Sequence, residues 1–521
     1  MIEQMTINKS NPFDHKFLAA AFAVLIAGGL MRLAGITASA LWYDEAYTMA
    51  IAQRPLLEAV RLTGYDFHPP LWPIVTWCST HLIGYSEIGI RLPALLSGLA
   101  SLYLVWVILR KLDVDRQYIF AACLLVAMAP VGLWTSQDGR VYALFGTLYL
   151  AGLWCILSRR WLGLAAVSGL LLYAQTVGLL YLAGLWLTGL VVHGDKSRFI
   201  RWTDCHHRMT VAIMAGACAY LPWLPVFIQS TGSDFLLAPI TLKWVTVAFT
   251  QAVFVGTLDH TIMQPLAMGT LILSIAAAAL LTIGPVLSAV TAPAFARARA
   301  LAAAVALRIP DTANPVDRSS IVLMVYALSP VAAMIAVSVV LKNIVYYRPL
   351  TPVIVPVLLW LAVTLTPRRL TITSLVIPYI WTLLLLVAMA AWSPASRGGN
   401  LQPITTTIAQ TAKPGDIIYH ATGTSYLPFR YYLPNMTHLL INEDQPGRLL
   451  QTELLAPFGV IRAALPDKQP GQTIWFVYAR DPIMTSAAVS RMDNYIHSAN
   501  ADLIGTVQSW QFSTIEVYKW Q

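Results

Sequence analysis

Residues 69–85 read PPLWPIVTWCSTHLIGY, and whether this stretch crosses a membrane decides how the whole chain is threaded. It is apolar, but it opens on Pro69-Pro70, contains Pro73 and is rich in Trp and Tyr, residues that favour the boundary between lipid and water. Outward from it lie runs long and apolar enough to span: about 17–40 before it, and after it 89–109, 118–134, 141–157, 161–174, 176–192, 209–229, 262–290, 320–341, 349–366 and 370–391. The stretch 161–192 is short for two crossings and also reads as one broken or tilted helix. Counted as two, the total is eleven spans.

Basic residues choose between the two threadings. If 69–85 lies on the surface, one set of loops holds Arg110, Lys111 and Arg116; Arg159 and Arg160; Lys196 to Arg208; Arg297 to Arg318; and Arg368 with Arg369. The opposite loops hold only Arg54, Arg61, Arg140, Lys243, Lys342 and Arg348. Lys and Arg accumulate on the cytoplasmic side, so the N-terminus is expected inside and the chain beyond Ser393 outside. A spanning 69–85 would put the arginine-rich loops outside. The stretch is therefore read as an interfacial helix within a long first outer loop, about 41–88.

Composition agrees with a polytopic α-helical membrane protein. Of 521 residues, 57% are hydrophobic and 11% charged, against roughly 25% charged in soluble domains; mean hydropathy is +0.63. The net charge of +9 sits entirely before Ser393, because the tail carries nine Lys/Arg against nine Asp/Glu. That surplus belongs to topology and implies no nucleic-acid partner. The five cysteines, all before the tail, form no Cys-x-x-Cys pair and read as apolar filler. The first run, 17–40, ends in Ala38-Ser39-Ala40, which also suits a signal-peptide cleavage site; Arg32 inside it favours an uncleaved anchor. Two domains follow: a membrane domain, 1–392, and a small soluble α/β domain, 393–521. In the tail, Lys413-Pro414-Gly415-Asp416 is a turn before the strand-like IIYHA; TIWFVYAR at 473–480, a helical pattern at about 483–497 and a final strand come after.

Acidic residues collect on the outer side: Asp44, Glu45, Glu58, Asp66, Glu87, Asp138, Asp234 and Asp259. A transporter or flippase, the alternative class, would carry charges in mid-span and internal repeats; only Arg32 lies clearly within a run, and no repeat is found. A scaffold whose tail does the work is a third reading.

The segments Leu41-Trp42-Tyr43-Asp44-Glu45-Ala46-Tyr47, His68-Pro69-Pro70-Leu71 and Glu87 with Arg91-Leu92-Pro93 resemble the membrane glycosyltransferases of the C-type fold. These include the protein O-mannosyltransferases, the aminoarabinose transferases of lipid A and the lipopolysaccharide galacturonosyltransferases. Ser136-Gln137-Asp138-Gly139-Arg140-Val141-Tyr142, Leu221-Pro222-Trp223 and Tyr346-Tyr347-Arg348 match more loosely, and the resemblance covers about residues 17–366. It implies a multi-pass enzyme of the cytoplasmic (inner) membrane, with its tail periplasmic or extracellular. Such an enzyme transfers a sugar from a polyprenyl-phosphate carrier to a hydroxyl of a lipid, glycan or protein at the outer face.

The resemblance makes Asp44 the general base, with Glu45 and Asp138 as further catalytic candidates. His68, Arg140, Tyr346 and Arg348 become candidates for holding the donor phosphate. Each has a plainer reading. Asp44 suits a helix N-cap, Glu45 the positive end of a helix, Asp138 and Arg140 a simple ion pair, and Tyr346 with Arg348 an aromatic and snorkelling belt. No cofactor is required by the resemblance, but some relatives use a divalent metal ion, for which His68 and Glu87 are the candidate ligands. Single cysteines placed at 41–88 and in the tail are expected to label from outside intact cells, and those near Arg159 or Arg318 only from inside. Outside labelling of 112–116 would overturn this threading.

Overall fold

The computed structural model describes residues 12–65, 68–194, 203–231, 239–254, 263–290, 315–365, 401–441, 458–465, 472–480, 487–508 and 514–520. The expected span at 370–391, the acids Asp66, Asp234 and Asp259, and the basic positions at 196–201, 297–308 and 368–369 lie outside the described residues.

The chain opens with α1 (Pro12–Ala34), followed by the segment expected to form the first outer loop: α2 (Tyr43–Ala52), α3 (Leu56–Leu62) and α4 (Leu71–Ile83). Residues 69–85 do form a helix, but α4 has only 13 residues. At 1.5 Å per residue it is about 20 Å long, well short of a hydrocarbon core of roughly 30 Å. Next come α5 (Glu87–Lys111), α6 (Arg116–Met128), α7 (Pro130–Gln137), α8 (Tyr142–Leu157), α9 (Trp161–Ala174) and α10 (Gly178–His193). They are followed by α11 (Asp204–Cys218), α12 (Leu224–Thr231), α13 (Leu242–Phe254), α14 (Met263–Val290), α15 (Pro315–Val340) and α16 (Tyr347–Leu365). Among the described residues, five helical stretches are long and apolar enough to cross a membrane, or six if α6 and α7 count together. The other apolar helices are shorter; ten of the eleven expected runs fall on described helices, and the eleventh, 370–391, lies outside the described residues. Residues 161–192 are two helices, α9 and α10, parted at Gln175, whose backbone is extended. Helix α13, packed on α16, was not among the expected runs.

The run 118–134 is not a straight span. It bends by 52° between α6 and α7, because Pro130 has no N–H to continue the ladder and holds Ala129 extended. The freed carbonyls of Val126 and Ala127 accept instead from the Arg32 guanidinium, at 3.4 and 3.3 Å. In return, Gln137 at the end of α7 donates to the carbonyls of Met31 and Arg32, at 2.9 and 2.8 Å, near the end of α1. The two elements cap each other. Their approach needs Gly28, where an added Cβ would sit 2.8 Å from Ala127 Cβ. Arg32, the charge found within a span, is thus a structural clamp. A second proline device starts α16: Pro352 cannot donate to the Arg348 carbonyl, and the Thr351 hydroxyl does so at 2.8 Å.

The tail folds as a sheet with helices α17 (Leu401–Thr411), α18 (Gly423–Tyr432) and α19 (Ala487–Ser498). Strands β1 (Ile417–His420), β2 (Thr437–Ile441), β3 (Ile461–Ala463), β4 (Ile474–Arg480), β5 (Asp502–Gln508) and β6 (Thr514–Trp520) run in the order β3-β2-β1-β4-β6-β5. The first four neighbours are parallel, and β6 and β5 add antiparallel. Alternation explains why both faces are buried: Ile418, Trp475 and Val477 face α17, whereas Tyr419, Phe476 and Tyr478 face α19. The expected turn precedes β1, with Gly415 at φ +98° and Asp416 accepting from the Lys413 and Thr473 amides.

The tail core contains two buried histidines in a fixed chain of hydrogen bonds. His438 Nε2 donates to the Leu433 carbonyl at 2.9 Å, so its Nδ1 must accept, and His420 Nε2 donates to it at 2.9 Å. His420 Nδ1 lies 3.1 Å from the Ser425 hydroxyl, which is shared with the Thr422 carbonyl at 3.1 Å. Both rings are held neutral: burial pushes His438 down to about 4, and burial together with the neighbouring His438 pushes His420 well below its ordinary range. An unfolded chain takes up these protons near pH 6.5 and the folded tail does not, so their contribution is complete above about pH 6.5. It is lost as pH falls towards about 4. Thermal melting of the tail across this window is expected to drop steadily with acidification; a flat profile would remove the histidine pair as its cause.

Candidate active site

Helix α2 begins straight after Trp42, and its first turn carries Asp44 and Glu45. The N-cap position belongs to Trp42, and Asp44 lies inside the first turn, so it does not fill the capping role its residue type suits. It points instead at two arginines from distant segments. Asp44 Oδ2 accepts from Arg348 Nη1 at 2.8 Å and lies 3.9 Å from Arg140 Nε. Arg348 stands at the start of α16 and Arg140 in the tight turn between α7 and α8. Arg140 also donates to the Thr48 hydroxyl at 3.1 Å, and its other terminal nitrogen meets His68 Nε2 at 3.3 Å. Arg348 donates through Nε to the Tyr347 hydroxyl at 2.9 Å and packs over the rings of Trp42 and Tyr347, 5.2 and 5.7 Å from their centroids. Asp44, His68, Arg140 and Arg348 therefore meet, from four separate parts of the chain. The pocket is partly open: the side chains of Asp44 and Arg348 are 16% and 24% exposed.

Glu45, one residue on, has a different place. It is 1% exposed and forms a two-pronged ion pair with Arg91 of α5, at 2.7 and 2.6 Å. It also accepts the Gly139 amide at 2.6 Å. Arg91 in turn donates to the carbonyls of Ile36, Ser39 and Ala40. Every edge of this pair is engaged by framework, so Glu45 orients α2 and the 138–140 turn. Asp138 is equally buried and accepts from the Trp42 indole at 2.9 Å, while the Trp72 indole holds the Gly139 carbonyl at 3.0 Å. Of the two tyrosines, Tyr347 bonds Arg348, and Tyr346 lies edge-on to Tyr347 with ring centroids 6.2 Å apart.

Glu87 and His68 have different partners. Glu87 accepts from the Tyr432 hydroxyl of α18 at 2.8 Å, and that same hydroxyl accepts from the Leu41 amide at 2.9 Å. Among the described residues, no group of three or more His, Cys, Asp or Glu side chains is placed to hold a metal ion. Tyr431 adds a bond to the Tyr85 carbonyl at 3.1 Å, and Tyr426, Leu427 and Phe458 of the tail share an apolar cluster with Leu41, Tyr47, Met49 and Ile51. The tail is thus docked on the segment between α1 and α5, against the helix that carries Asp44. Sequence reasoning missed Thr48, Trp42, Trp72 and Tyr432. Trp42 stood inside a quoted motif and was readable; Tyr432 sits 345 residues from Glu87 with no local sign.

Breaking the Glu45–Arg91 pair from one side is expected to cost about 3–5 kcal/mol, since it strands a buried charge. Glu45→Ala should therefore lower thermal stability in detergent far more than Asp44→Asn. Equal melting temperatures for the two would contradict a framework role for Glu45.

No protein-family model matches the chain, and no curated protein matches it. Among solved structures, the chain is similar to ArnT from Cupriavidus metallidurans in the apo state, with 16% identity, a TM-score of 0.46 and 98% of each chain covered. It is similar to the same protein bound to undecaprenyl phosphate, with 16% identity, a TM-score of 0.38 and again 98% of each chain. It is also similar to the apo oligosaccharyltransferase of Archaeoglobus fulgidus, with 13% identity and a TM-score of 0.40, over 86% of this chain and 64% of the other.

Proposed function

We propose that the chain transfers a sugar from a polyprenyl-phosphate carrier to an acceptor hydroxyl at the outer face of the cytoplasmic membrane, with the N-terminus inside and the tail outside. The observation that carries this reading is the convergence of Asp44 with Arg140, Arg348 and His68 in a partly open pocket. One carboxylate beside two guanidiniums supplies what the reaction needs: a proton acceptor and a cradle for a departing phosphate.

A glycosyl phosphate already carries a good leaving group, so no strong acid is required at the bond that breaks. The acceptor oxygen forms a bond to the anomeric carbon while its proton passes to Asp44. The anomeric carbon–oxygen bond breaks, and its electron pair stays on the phosphate, which leaves as polyprenyl phosphate with one more negative charge. Arg348 and Arg140 stabilise that growing charge, and planar guanidiniums can do so with paired bonds. Attack in line with the leaving group makes the transfer inverting. His68, whose Nε2 lies beside Arg140, extends the cradle. Asp138 and Glu45 support this chemistry by fixing Trp42 and the Gly139 turn. The apolar side chains exposed at the end of α4, Leu82 and Ile83, fit a helix lying in the lipid boundary beside the site.

Asp44→Asn is expected to lower transfer by ~10²-fold or more while the protein stays folded, because it keeps the shape and removes the proton acceptor. Single-turnover transfer from a synthetic short-chain polyprenyl-phosphate sugar measures this; near-normal turnover of the folded variant would defeat the assignment.

A further inference from the structure

The proposed base and a proposed phosphate ligand are bonded to each other. Asp44 Oδ2 accepts a charge-assisted bond from Arg348 at 2.8 Å and lies 3.9 Å from Arg140. A guanidinium seated there takes up a lone pair of the carboxylate and the space in front of it, so an acceptor hydroxyl can approach from that side only once Arg348 has moved. Arg348 is constrained on its other side, where Nε is held by the Tyr347 hydroxyl and the plane is packed against Trp42. Its second terminal nitrogen, Nη2, makes no hydrogen bond among the described residues. The side chain as a whole is 24% exposed, which leaves the guanidinium open to a ligand.

We propose that Asp44 and the carrier phosphate compete for Arg348, so that the base is masked until the lipid donor is seated. The inference rests on the reading of Asp44 as base and Arg348 as phosphate ligand, and adds an order to their use. In the resting protein Arg348 closes on Asp44. An incoming phosphate meets the open edge of the guanidinium, offers oxygens of the same charge as the carboxylate and draws the Nη1 bond to itself. Repulsion between carboxylate and phosphate then favours Asp44 turning away, with its lone pair free for an acceptor. Arg140 does not follow, because Thr48, the Asp44 carbonyl and His68 hold it in place. The acceptor is thereby deprotonated only where a sugar donor is present to receive it.

The competition has a signature that a passive cradle lacks. Removing the base should tighten binding of the lipid phosphate. Binding of a synthetic short-chain polyprenyl phosphate, without sugar, is measured on the full-length protein in detergent for four forms: unaltered, Asp44→Asn, Arg348→Ala and the double variant. Asp44→Asn is expected to bind about tenfold more tightly, the equivalent of one charge-assisted bond no longer contested. Arg348→Ala should bind more weakly, and in its background Asp44→Asn should bring little further gain, because the contested group is gone. Affinity for Asp44→Asn equal to or weaker than that of the unaltered protein overturns the competition. A tenfold gain that persists undiminished in the Arg348→Ala background also overturns it, as mere removal of a negative charge. Asp44→Ala repeats the comparison should the Asn form not fold. Transfer assays on the same samples separate the two ideas: an inactive Asp44→Asn with unchanged affinity ends the masking and leaves the base, whereas an active one ends the base itself.

Discussion

A carboxylate and a guanidinium, both removed from water, tie together the segments around the start of α2. Neither Glu45 nor Arg91 would be tolerated alone in its position. Together they leave few bonds unmade: Arg91 reaches the three carbonyls that end the first helix region, and Glu45 reaches the Gly139 amide. The pair thus fixes three things relative to one another, namely the exit of α1, the start of α2 and the turn before α8. Asp44 immediately precedes Glu45, and Arg140 immediately follows Gly139. The geometry of the open pocket follows from the closed pair beneath the same two backbone positions. Neighbouring residues of like type have divided the labour, one facing the frame and one the cavity.

Much of this was readable in the chain. The apolar runs foretold helices at almost every described position, and basic asymmetry kept 69–85 out of the list of crossings, where a helix of 13 residues now stands. The sequence also put Asp44, His68, Arg140 and Arg348 on one side of the membrane, and these four do meet. What periodicity could not convey was pairing. Nothing near Glu45 announces Arg91, 46 residues away, and nothing near Glu87 announces Tyr432. Adjacent Asp44 and Glu45 look alike in sequence, and only the direction of each side chain separates a cavity residue from a frame residue. The bend before Pro130 was legible in principle, since the residue ahead of a proline avoids the helical region. It was hidden by the unbroken apolar character on either side, which the hydropathy of a span does not distinguish from a kinked one.

The same economy recurs where helices are interrupted. Carbonyls left without donors by Pro130 and Pro352 are met by Arg32 and by Thr351. In an apolar bundle an orphaned carbonyl has no water to turn to, so each proline requires a dedicated donor. Among the described residues Arg32 has no carboxylate partner, and the carbonyl dipoles of Gly28, Val126 and Ala127 share its charge. The first proline opens α7, the helix that ends at the Asp138–Arg140 turn, and the second lies in the first turns of the helix that presents Arg348.

The hydroxyl of Tyr432 touches Glu87 and the backbone of Leu41, three residues ahead of Asp44. The tail is consequently not an interchangeable appendage. A tail transplanted from another chain of the same general design would bring a different surface to the underside of α2, and the start of that helix would settle elsewhere. A substitution far along the chain that shifts Tyr432 therefore displaces the backbone just ahead of Asp44, although it touches none of the charged side chains around it.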